Sequence, residues 1–358
     1  MRTSVLLVLL VITGCTSRAT PAAVETPTAA SSPSTAVSST PVAQETPTAT
    51  VSASSTSLTC RLPVTWQVTD GQAVATKRGF LSFRDKTVVE DPSALPGSVF
   101  YDRAFAKWLP VPRTAVSVDG KRFAYGEGNA YQNTGGKLHV VDVATGGDTV
   151  IYSGGTVYNV VDFAVEGIYI TAAAPEGYPR GLWLEKPTGG SPQLISTSIV
   201  APMVGGGAAW GVHFNNADPS PGPGGIEGPF NEVVRVDLSS GSTTTWFYRP
   251  GSTLYVLGFD RRGDLFVSVA YAGTSNDVTG HTYELWLVAS ATAASPLSTG
   301  SGAQVPLVLG AVDDDGVWFY AQYVSASSST VWLYAGASMQ VVATANVGGL
   351  AVAGGCIP

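Results

Sequence analysis

The chain has 358 residues, of which 44% are hydrophobic and 13% charged, and its formal net charge at pH 7 is −7. A negative balance of this size argues against a phosphate-binding surface, so we expect no nucleic-acid partner. The sequence after about residue 58 is rich in Gly, Val, Thr, Ser and aromatic residues and poor in Lys and Glu, which favours strands over helices. Beyond residue 15, no apolar run approaches the roughly 18 residues that a membrane-spanning helix needs.

Residues 1–14 have the pattern of a secretory signal peptide. Arg2 supplies a positive charge, residues 5–12 are uninterruptedly apolar, and the stretch is too short to span a membrane. It runs into Ile-Thr-Gly-Cys at residues 12–15, which resembles the bacterial lipobox, in which small residues precede a cysteine that becomes lipidated. The resemblance implies an exported protein, held by lipid on Cys15 at the outer side of the cytoplasmic membrane or elsewhere in the cell envelope. The alternative is an ordinary signal peptide followed by an incidental cysteine.

Residues 15–58 are predicted to form a stalk. They consist mainly of Ser, Thr, Ala and Pro, contain no aromatic residue, and repeat Glu-Thr-Pro at residues 25–27 and 45–47. Such a segment cannot bury enough apolar surface to offset its ordering entropy, so we expect a disordered spacer. It would join the lipid on Cys15 to a folded domain formed by residues 59–358.

The two remaining cysteines, Cys60 and Cys356, lie at opposite ends of the predicted domain. Disulfides persist in exported proteins, so we predict a bridge between them. In the chain-entropy model, closing a loop of this length stabilises the domain by about 5 kcal/mol at most. The alternative is two unrelated free thiols.

An internal repeat organises the folded part. Glycine-containing turns recur at residues 118–120, 165–167, 205–207, 261–263 and 314–316. A large apolar residue follows three positions after the last glycine of each turn, namely Phe123, Ile170, Trp210, Phe266 and Phe319. A second apolar register begins further along each unit, at Leu138, Leu182, Val233, Leu285 and Val331. Each unit therefore reads as four strands joined by turns and one longer loop.

Four-stranded units that recur every 40–56 residues are typical of β-propeller blades. Residues 117–125, followed by residues 138–145, resemble the TolB-like and WD40-like propeller repeats. The resemblance implies an all-β propeller and brings no catalytic residue with it, because these motifs shape turns and strands. A likeness of the whole chain to bacterial propeller lipoproteins brings no activity either.

Six blades are predicted. Five units cover residues 113 to about 348, and residues 349–355 look like the first strand of a sixth unit that then stops. Its missing strands would come from residues 62–68, 79–83 and 99–112, so that both termini close the ring and no sheet edge is left open. Seven blades is the alternative, because residues 99–108 could form an extra hairpin.

The histidines give only weak catalytic candidates. His139 occupies the position filled elsewhere by Trp183, Trp286 and Trp332, so we expect a packed strand residue. His213 ends the second strand of its unit and His281 precedes the third strand of the next, at loops that open on the same face, where Glu227 or Asp277 could complete an acid–base or metal set. The spacing is not diagnostic, and we predict no metal and no cofactor. Residues 313–316 and 262–264 are expected to be ordinary turns and not a calcium loop or an adhesion motif.

The long loops between the second and third strands give the leading hypothesis. They carry aromatic rings together with amides and charged groups, and the predicted binding residues are Tyr131, Asn133, Tyr178, Arg180, Asn215, Asn216, Phe230, Tyr271 and Asn276. Insertions on one face of a repeat protein usually mark its binding face. We expect a monomeric, non-enzymatic recognition module for a protein, peptide or glycan. The alternatives are loops without a ligand, or an extracellular hydrolase or lyase that uses the histidines above.

Overall fold

The computed structural model of the protein describes residues 58–70, 73–174, 178–215, 230–271, 282–298, 306–321 and 328–358. The predicted signal peptide, Cys15 and residues 16–57 of the predicted stalk lie outside these ranges. None of the described segments contains a helix that is long and apolar enough to cross a membrane.

The described residues form 24 strands, because β-branched and aromatic residues alternate with polar ones between glycine-containing turns. The strands are β1 (Arg61–Asp70), β2 (Ala73–Ser82), β3 (Thr87–Glu90), β4 (Phe100–Asp102), β5 (Lys107–Leu109), β6 (Arg122–Asn129), β7 (Thr134–Asp142), β8 (Asp148–Gly154), β9 (Tyr158–Phe163), β10 (Ile168–Ala172), β11 (Arg180–Glu185), β12 (Gln193–Gly205), β13 (Ala208–His213), β14 (Glu232–Asp237), β15 (Thr243–Tyr248), β16 (Ser252–Phe259), β17 (Leu265–Tyr271), β18 (Thr282–Ser290), β19 (Ala293–Ser298), β20 (Leu307–Val312), β21 (Val317–Ala321), β22 (Ser329–Ala335), β23 (Ser338–Ala345) and β24 (Gly348–Val352).

The strands assemble into antiparallel sheets in which sequence neighbours pair. Strands β16–β19 and β20–β23 each form a four-stranded sheet, and β9–β15 form one continuous seven-stranded sheet. That larger sheet consists of two four-stranded units that share β12. The first half of β12 pairs with β11 and the second half with β13, and Ala201, with φ of 47°, lies at the change between them.

Both chain ends contribute to one sheet, as predicted. Its strand order is β24-β1-β2-β3, so the C-terminal strand pairs with the first N-terminal strand. Cys60 and Cys356 form a disulfide with a Cα–Cα distance of 5.7 Å, which confirms the predicted bridge. Arg61 and Ile357 add backbone hydrogen bonds of 2.8 and 2.9 Å beside it.

The segment that follows this sheet differs from the prediction. We expected residues 99–112 to complete the composite sheet, but the fourth strand there is β3, and β4 and β5 pair only with each other. The β4–β5 hairpin lies against the composite sheet: N of Tyr101 donates to O of Ala353 at 2.7 Å, and the Tyr101 ring packs edge-on against Phe80. The hairpin is thus an addition of two strands and not a seventh blade.

The first predicted unit also begins irregularly. Its innermost strand is replaced by a short 3-10 helix, Arg113–Ala115, and by a single bridge between Val116 and Phe123 that extends the β6–β8 sheet. With this bridge, the described part of the chain contains six four-stranded units.

Neighbouring sheets pack face to face. Aromatic pairs bridge them at Phe247–Trp286, Phe266–Phe319 and Phe83–Trp318, with ring centroids 5.6, 5.1 and 5.4 Å apart. Leu109 of the hairpin packs with Phe123 and Val141, and Leu138 packs with Tyr158 of the next unit. The contacts run from sheet to sheet and return to the composite sheet. The fold is a β-propeller.

The antiparallel strands create two faces. We call turn face the end that carries the short turns after the first and third strands, such as residues 118–121, 144–147, 260–264 and 313–316. We call long-loop face the opposite end, where the second strands stop at Asn129, Ala172, His213, Tyr271 and Ala321.

Candidate recognition face

Hydrogen bonds join neighbouring units on the long-loop face. Asn133, with φ of 47°, accepts at Oδ1 from N of Val157 at 3.2 Å, and O of Val157 accepts from N of Ala173 at 2.9 Å. In a later unit, N of Arg249 donates to O of Asn231 at 3.0 Å. These bonds tie loops to the connections between sheets and so fix the described loops relative to one another.

The predicted binding residues take different roles. Tyr131 projects from its loop and is 80% exposed, and Arg180 opens β11 in an exposed position. Tyr178 packs edge-on against Phe230, with ring centroids 5.3 Å apart. Because Phe230 is only 4% exposed, it supports Tyr178 and offers little surface of its own.

The remaining predicted residues are engaged in the protein or lie outside the described ranges. N of Asn215 donates to Oδ1 of Asn231 at 2.8 Å, and the Tyr271 hydroxyl donates to Oε2 of Glu284 at 3.2 Å. Asn216 and Asn276 are not among the described residues.

A cavity of about 320 Å³ lies on the long-loop side, between the β16–β19 sheet and the start of β20. Its border combines three tyrosines, four apolar residues and one serine, namely Tyr178, Tyr255, Tyr283, Leu257, Pro306, Leu307, Val308 and Ser268. No side chain in this described border carries a formal charge at neutral pH. Tyr178 comes from the unit of β9–β12, so the described border combines residues of three units.

Ser268 is the most buried polar group of this border. It lies in β17, opposite Tyr255 on β16, and it is 3% exposed. Among the described residues, its hydroxyl has no hydrogen-bond partner. Its side chain borders the cavity, so a ligand or a water there can bond to its hydroxyl.

A second cluster lies on the other side of the β16–β19 sheet. The Arg249 guanidinium sits 3.9 Å from the ring centroid of Trp286 and 5.2 Å from that of Phe247. Trp286 Nε1 and the Tyr271 hydroxyl both donate to Oε2 of Glu284. Burial and the Glu284 carboxylate raise the pKa of Tyr271, whereas Arg249 opposes that rise. The cluster fixes the Tyr271 ring at the end of β17.

His213 has a carboxylate partner that differs from those predicted. Its Nδ1 lies 3.3 Å from Oε2 of buried Glu232, and the Thr245 hydroxyl donates to the other oxygen of that carboxylate. Within the described ranges, Nε2 of His213 has no hydrogen-bond partner, and the side chain is about half exposed. The other three weak candidates, His281, Glu227 and Asp277, lie outside the described residues.

His139 is buried in β7, as predicted, and it belongs to a polar network. Its ring stacks on Tyr125 at 4.5 Å, with Nδ1 2.9 Å from Asp148 Oδ1 and Nε2 3.0 Å from Glu127 Oε2. Tyr125 donates to the other oxygen of Asp148, and burial together with this bond raises the pKa of Tyr125 to about 12. Both ring nitrogens are thus engaged, on opposite sides of the ring, which does not suit metal binding.

The acidic run on the turn face is a structural turn. Asp313 Oδ2 accepts from Trp318 Nε1 at 2.8 Å and from N of Cys356 at 2.6 Å, whereas Asp314 pairs with Arg261 at 2.5 Å. The carboxylates diverge, which is unlike a calcium loop. In the described part of the chain, the only group of three potential metal ligands is Cys60, Asp315 and Cys356, and its two sulfurs form the disulfide.

The Arg-Gly-Asp sequence at residues 262–264 is also an internal turn. Nε of Arg262 lies 3.0 Å from Asp260, and its Nη2 lies 3.1 Å from Asp264. The arginine and aspartate of the tripeptide are therefore paired with each other.

Comparisons with known proteins give distant similarities only. No protein-family model matches the chain, and no curated protein sequence matches it. Among solved structures, a prolyl endopeptidase is 10% identical over 82% of this chain and 43% of its own, with a TM-score of 0.48. TolB from Acinetobacter baumannii is 11% identical, with coverages of 83% and 67% and a TM-score of 0.42. Oligogalacturonate lyase in complex with manganese is 12% identical, with coverages of 79% and 73% and a TM-score of 0.39.

The chain therefore spans less than half the length of the prolyl endopeptidase. At these identities and scores, the similarities carry no information on ligand or reaction.

Sequence reasoning missed Glu232, Arg249 and Ser268. Glu232 meets His213 because β13 and β14 pair in that register, and Arg249 meets Trp286 across two sheets. Ser268 is one of many serines in the sequence and acquires a role only through the cavity. No local motif marks any of the three.

Proposed function

We propose that the protein is an exported lipoprotein whose propeller acts as a non-enzymatic recognition module at the cell envelope. Its ligand is a protein, peptide or glycan that meets the long-loop face. The observation that carries the proposal is the place where the chain enters the domain, because this entry lies on the opposite face.

The entry point is fixed by several contacts. Cys60 precedes β1 and is bonded to Cys356, whose backbone N donates to Asp313 in the 313–316 turn. A tether that reaches the domain through Leu58 is thus attached at the turn face. Strands such as β10, with 5 residues, and β18, with 9, separate the two faces by roughly 15–30 Å. The junction between the tether and the domain therefore leaves the long-loop face uncovered.

The side chains of the long-loop face support the same proposal. Tyr131 is widely exposed there, and the tyrosine-bordered cavity lies on the same side of the ring. Variable loops on a rigid scaffold concentrate binding residues, and concave sites lined by aromatic and apolar groups with a few polar atoms are typical ligand sites.

Cell fractionation tests the anchor. Export, cleavage before Cys15 and lipidation predict that the wild-type chain is found with membranes and that Cys15→Ser releases it, because a lipid anchor supplies the membrane affinity. Unchanged membrane retention of the Cys15→Ser chain would contradict the anchor.

A binding screen tests the face. Full-length protein carrying Cys15→Ser is screened against cell-wall glycans and envelope proteins, beside a variant in which residues 216–229 are replaced by a short Gly-Ser linker. Asn215 and Phe230 are kept because N of Asn215 donates to Oδ1 of Asn231, and O of Phe230 accepts from N of Leu254. The matched control is Val118→Ser with Val165→Ser, two exposed turn-face positions. Binding is expected to be lost on the loop replacement and kept in the control; binding that survives the loop replacement contradicts the proposal, and so does binding that is lost in the control.

A second function rests on His213. A half-exposed histidine held at Nδ1 by a buried carboxylate has the arrangement of a general base, so an extracellular hydrolase or lyase acting on glycans is the alternative. Turnover of a screened glycan that is abolished by His213→Ala and reduced by Glu232→Gln would favour the enzyme over the binding module.

A further inference from the structure

We propose that the 320 Å³ cavity binds one uncharged saccharide ring. This inference rests on the proposed function and names the ligand class of the same face. The proposal is argued from the size of the cavity, from the residues that border it and from the position of Ser268 among them.

The size of the cavity limits the ligand. Its volume of about 320 Å³ is at the lower end of the range of small-molecule sites. A ring of sugar size can enter, whereas a folded peptide segment or a long oligosaccharide can only extend out of it. The cavity therefore takes a single residue of a larger chain, or a small free ligand.

The uncharged side chains of the described border favour a neutral ligand over an ionic one. The described border offers three tyrosine hydroxyls and the Ser268 hydroxyl, and it contains no carboxylate and no basic side chain. Among these described residues, a carboxylate or an ammonium group of a ligand would find no opposite charge, which makes its burial unfavourable. An ionic ligand is thus disfavoured relative to a neutral one of the same shape.

The polar atoms of the cavity disfavour a purely apolar ligand. Such a ligand would cover the Ser268 hydroxyl without offering it a hydrogen-bond partner, which is costly. A sugar ring has apolar C–H faces that pack on aromatic side chains, and hydroxyls at its edge that reach Ser268. It matches both kinds of surface at once.

The Tyr178 wall makes the site dependent on the assembled ring. Tyr178 precedes β11 and is held by buried Phe230, whereas Ser268 and Tyr283 belong to the β16–β19 sheet. Removing the Tyr178 ring opens one wall without touching the sheet that carries Ser268.

Titration with two matched probes tests the inference. Full-length protein carrying Cys15→Ser is titrated by calorimetry and ligand-observed NMR with methyl glucoside and with glucuronate, which share the ring and differ in a carboxylate. Methyl glucoside is expected to bind in the millimolar range, with glucuronate at least about tenfold weaker. Ser268→Ala is expected to weaken glucoside binding about five- to tenfold, because one hydrogen bond is lost. Tyr178→Ala should weaken it by a similar or larger factor.

Controls separate binding from folding. Val165→Ser, at an exposed position of the turn face, should leave glucoside affinity unchanged, and thermal unfolding verifies that each variant is folded. Tyr178→Phe keeps the ring and should retain most of the affinity if packing is the main contribution of that wall. Equal affinity for glucuronate, no glucoside binding, or wild-type affinity in both folded Ser268→Ala and Tyr178→Ala overturns the inference.

The two proposals fail in different ways. If the cavity variants change nothing while replacement of residues 216–229 abolishes binding to envelope material, the cavity inference is wrong and the recognition function stands. If envelope binding survives that replacement, the proposed face is wrong whatever the cavity binds.

Discussion

The two faces of the propeller are built by different means. On the turn face, carboxylates bond to their own turn: Asp119 accepts from Ser117 and Lys121, and Asp237 accepts from Ser239 and Ser240. On the long-loop face, partners come from neighbouring units, as when Tyr178 packs on Phe230 or Arg249 on Trp286. The turn face is thus built from repeated turns that satisfy their own polar groups, whereas the long-loop face is built from contacts between units that differ from one unit to the next.

The local hydrogen bonds of the turn face change the pKa values of its carboxylates. Hydrogen bonds from Ser117, from Thr145 and from Ser239 lower the pKa of Asp119, Asp142 and Asp237, respectively. Because the folded state favours their ionised forms, these groups stabilise the fold at pH values above their ordinary pKa. That contribution is lost as the pH falls through the lowered pKa values.

The largest expected effect concerns the disulfide on the turn face. Replacing both Cys60 and Cys356 by alanine should lower the free energy of unfolding by about 3–5 kcal/mol, because the bridge closes a loop of 296 residues. Urea unfolding measures it, and the wild-type protein under reducing conditions should approach the variant. A loss below about 1 kcal/mol would show that terminal closure depends on strand pairing alone.

A smaller loss of unfolding free energy is expected at Asp313, and it should distinguish this residue from its neighbour Asp314. Asp313→Ala should cost about 2–4 kcal/mol, because Trp318 Nε1 and N of Cys356 both lose their acceptor. Asp314→Ala is the matched control: its side chain is 77% exposed and pairs with Arg261 at the surface, so the change should be about 0–1 kcal/mol. Equal losses in urea unfolding would remove the distinction between structural and surface carboxylates.

Asp162 is an exception among the carboxylates near the turn face. It lies near the end of β9, and burial, opposed by Arg113, raises its pKa to about 6. Its ionised form is therefore unfavourable at neutral pH, and Asp162→Asn should stabilise the fold there by about 1–2 kcal/mol after allowance for partial exposure. The gain should disappear below about pH 4, where the carboxyl is protonated in both folded and unfolded states. A gain that is independent of pH would contradict the assignment of this burial effect.

Much of the architecture could be predicted from the sequence because it depends on local patterns. The glycine turns and the apolar residue three positions later, such as Phe123 or Phe319, mark strands directly. The pairing of β24 with β1 followed from an incomplete final unit and from cysteines at both ends of the domain. The separate β4–β5 hairpin was harder to predict, because strands of 3 residues give no sustained alternation.

The details of the candidate site could be predicted less well because they arise between units. Whether His213 meets Glu232 depends on strand register, and whether Tyr178 reaches the cavity beside Ser268 depends on how the sheets are arranged around the ring. Phe230 was expected to contact a ligand because it is aromatic and lies in a loop, yet it is buried beneath Tyr178. Its partner lies in another unit, and such contacts leave no periodic signal in the sequence.

Site-specific photo-crosslinking in intact cells tests the central claim, that the long-loop face is the recognition face. The photoreactive residue is placed at Tyr131 or at Val165, which are 80% and 85% exposed on the long-loop and turn faces, respectively. Since the two positions are similarly exposed, a difference in crosslinking reports which face meets the ligand. The account predicts a defined adduct from position 131 and only background from position 165. A defined adduct from position 165, with background from position 131, would contradict it.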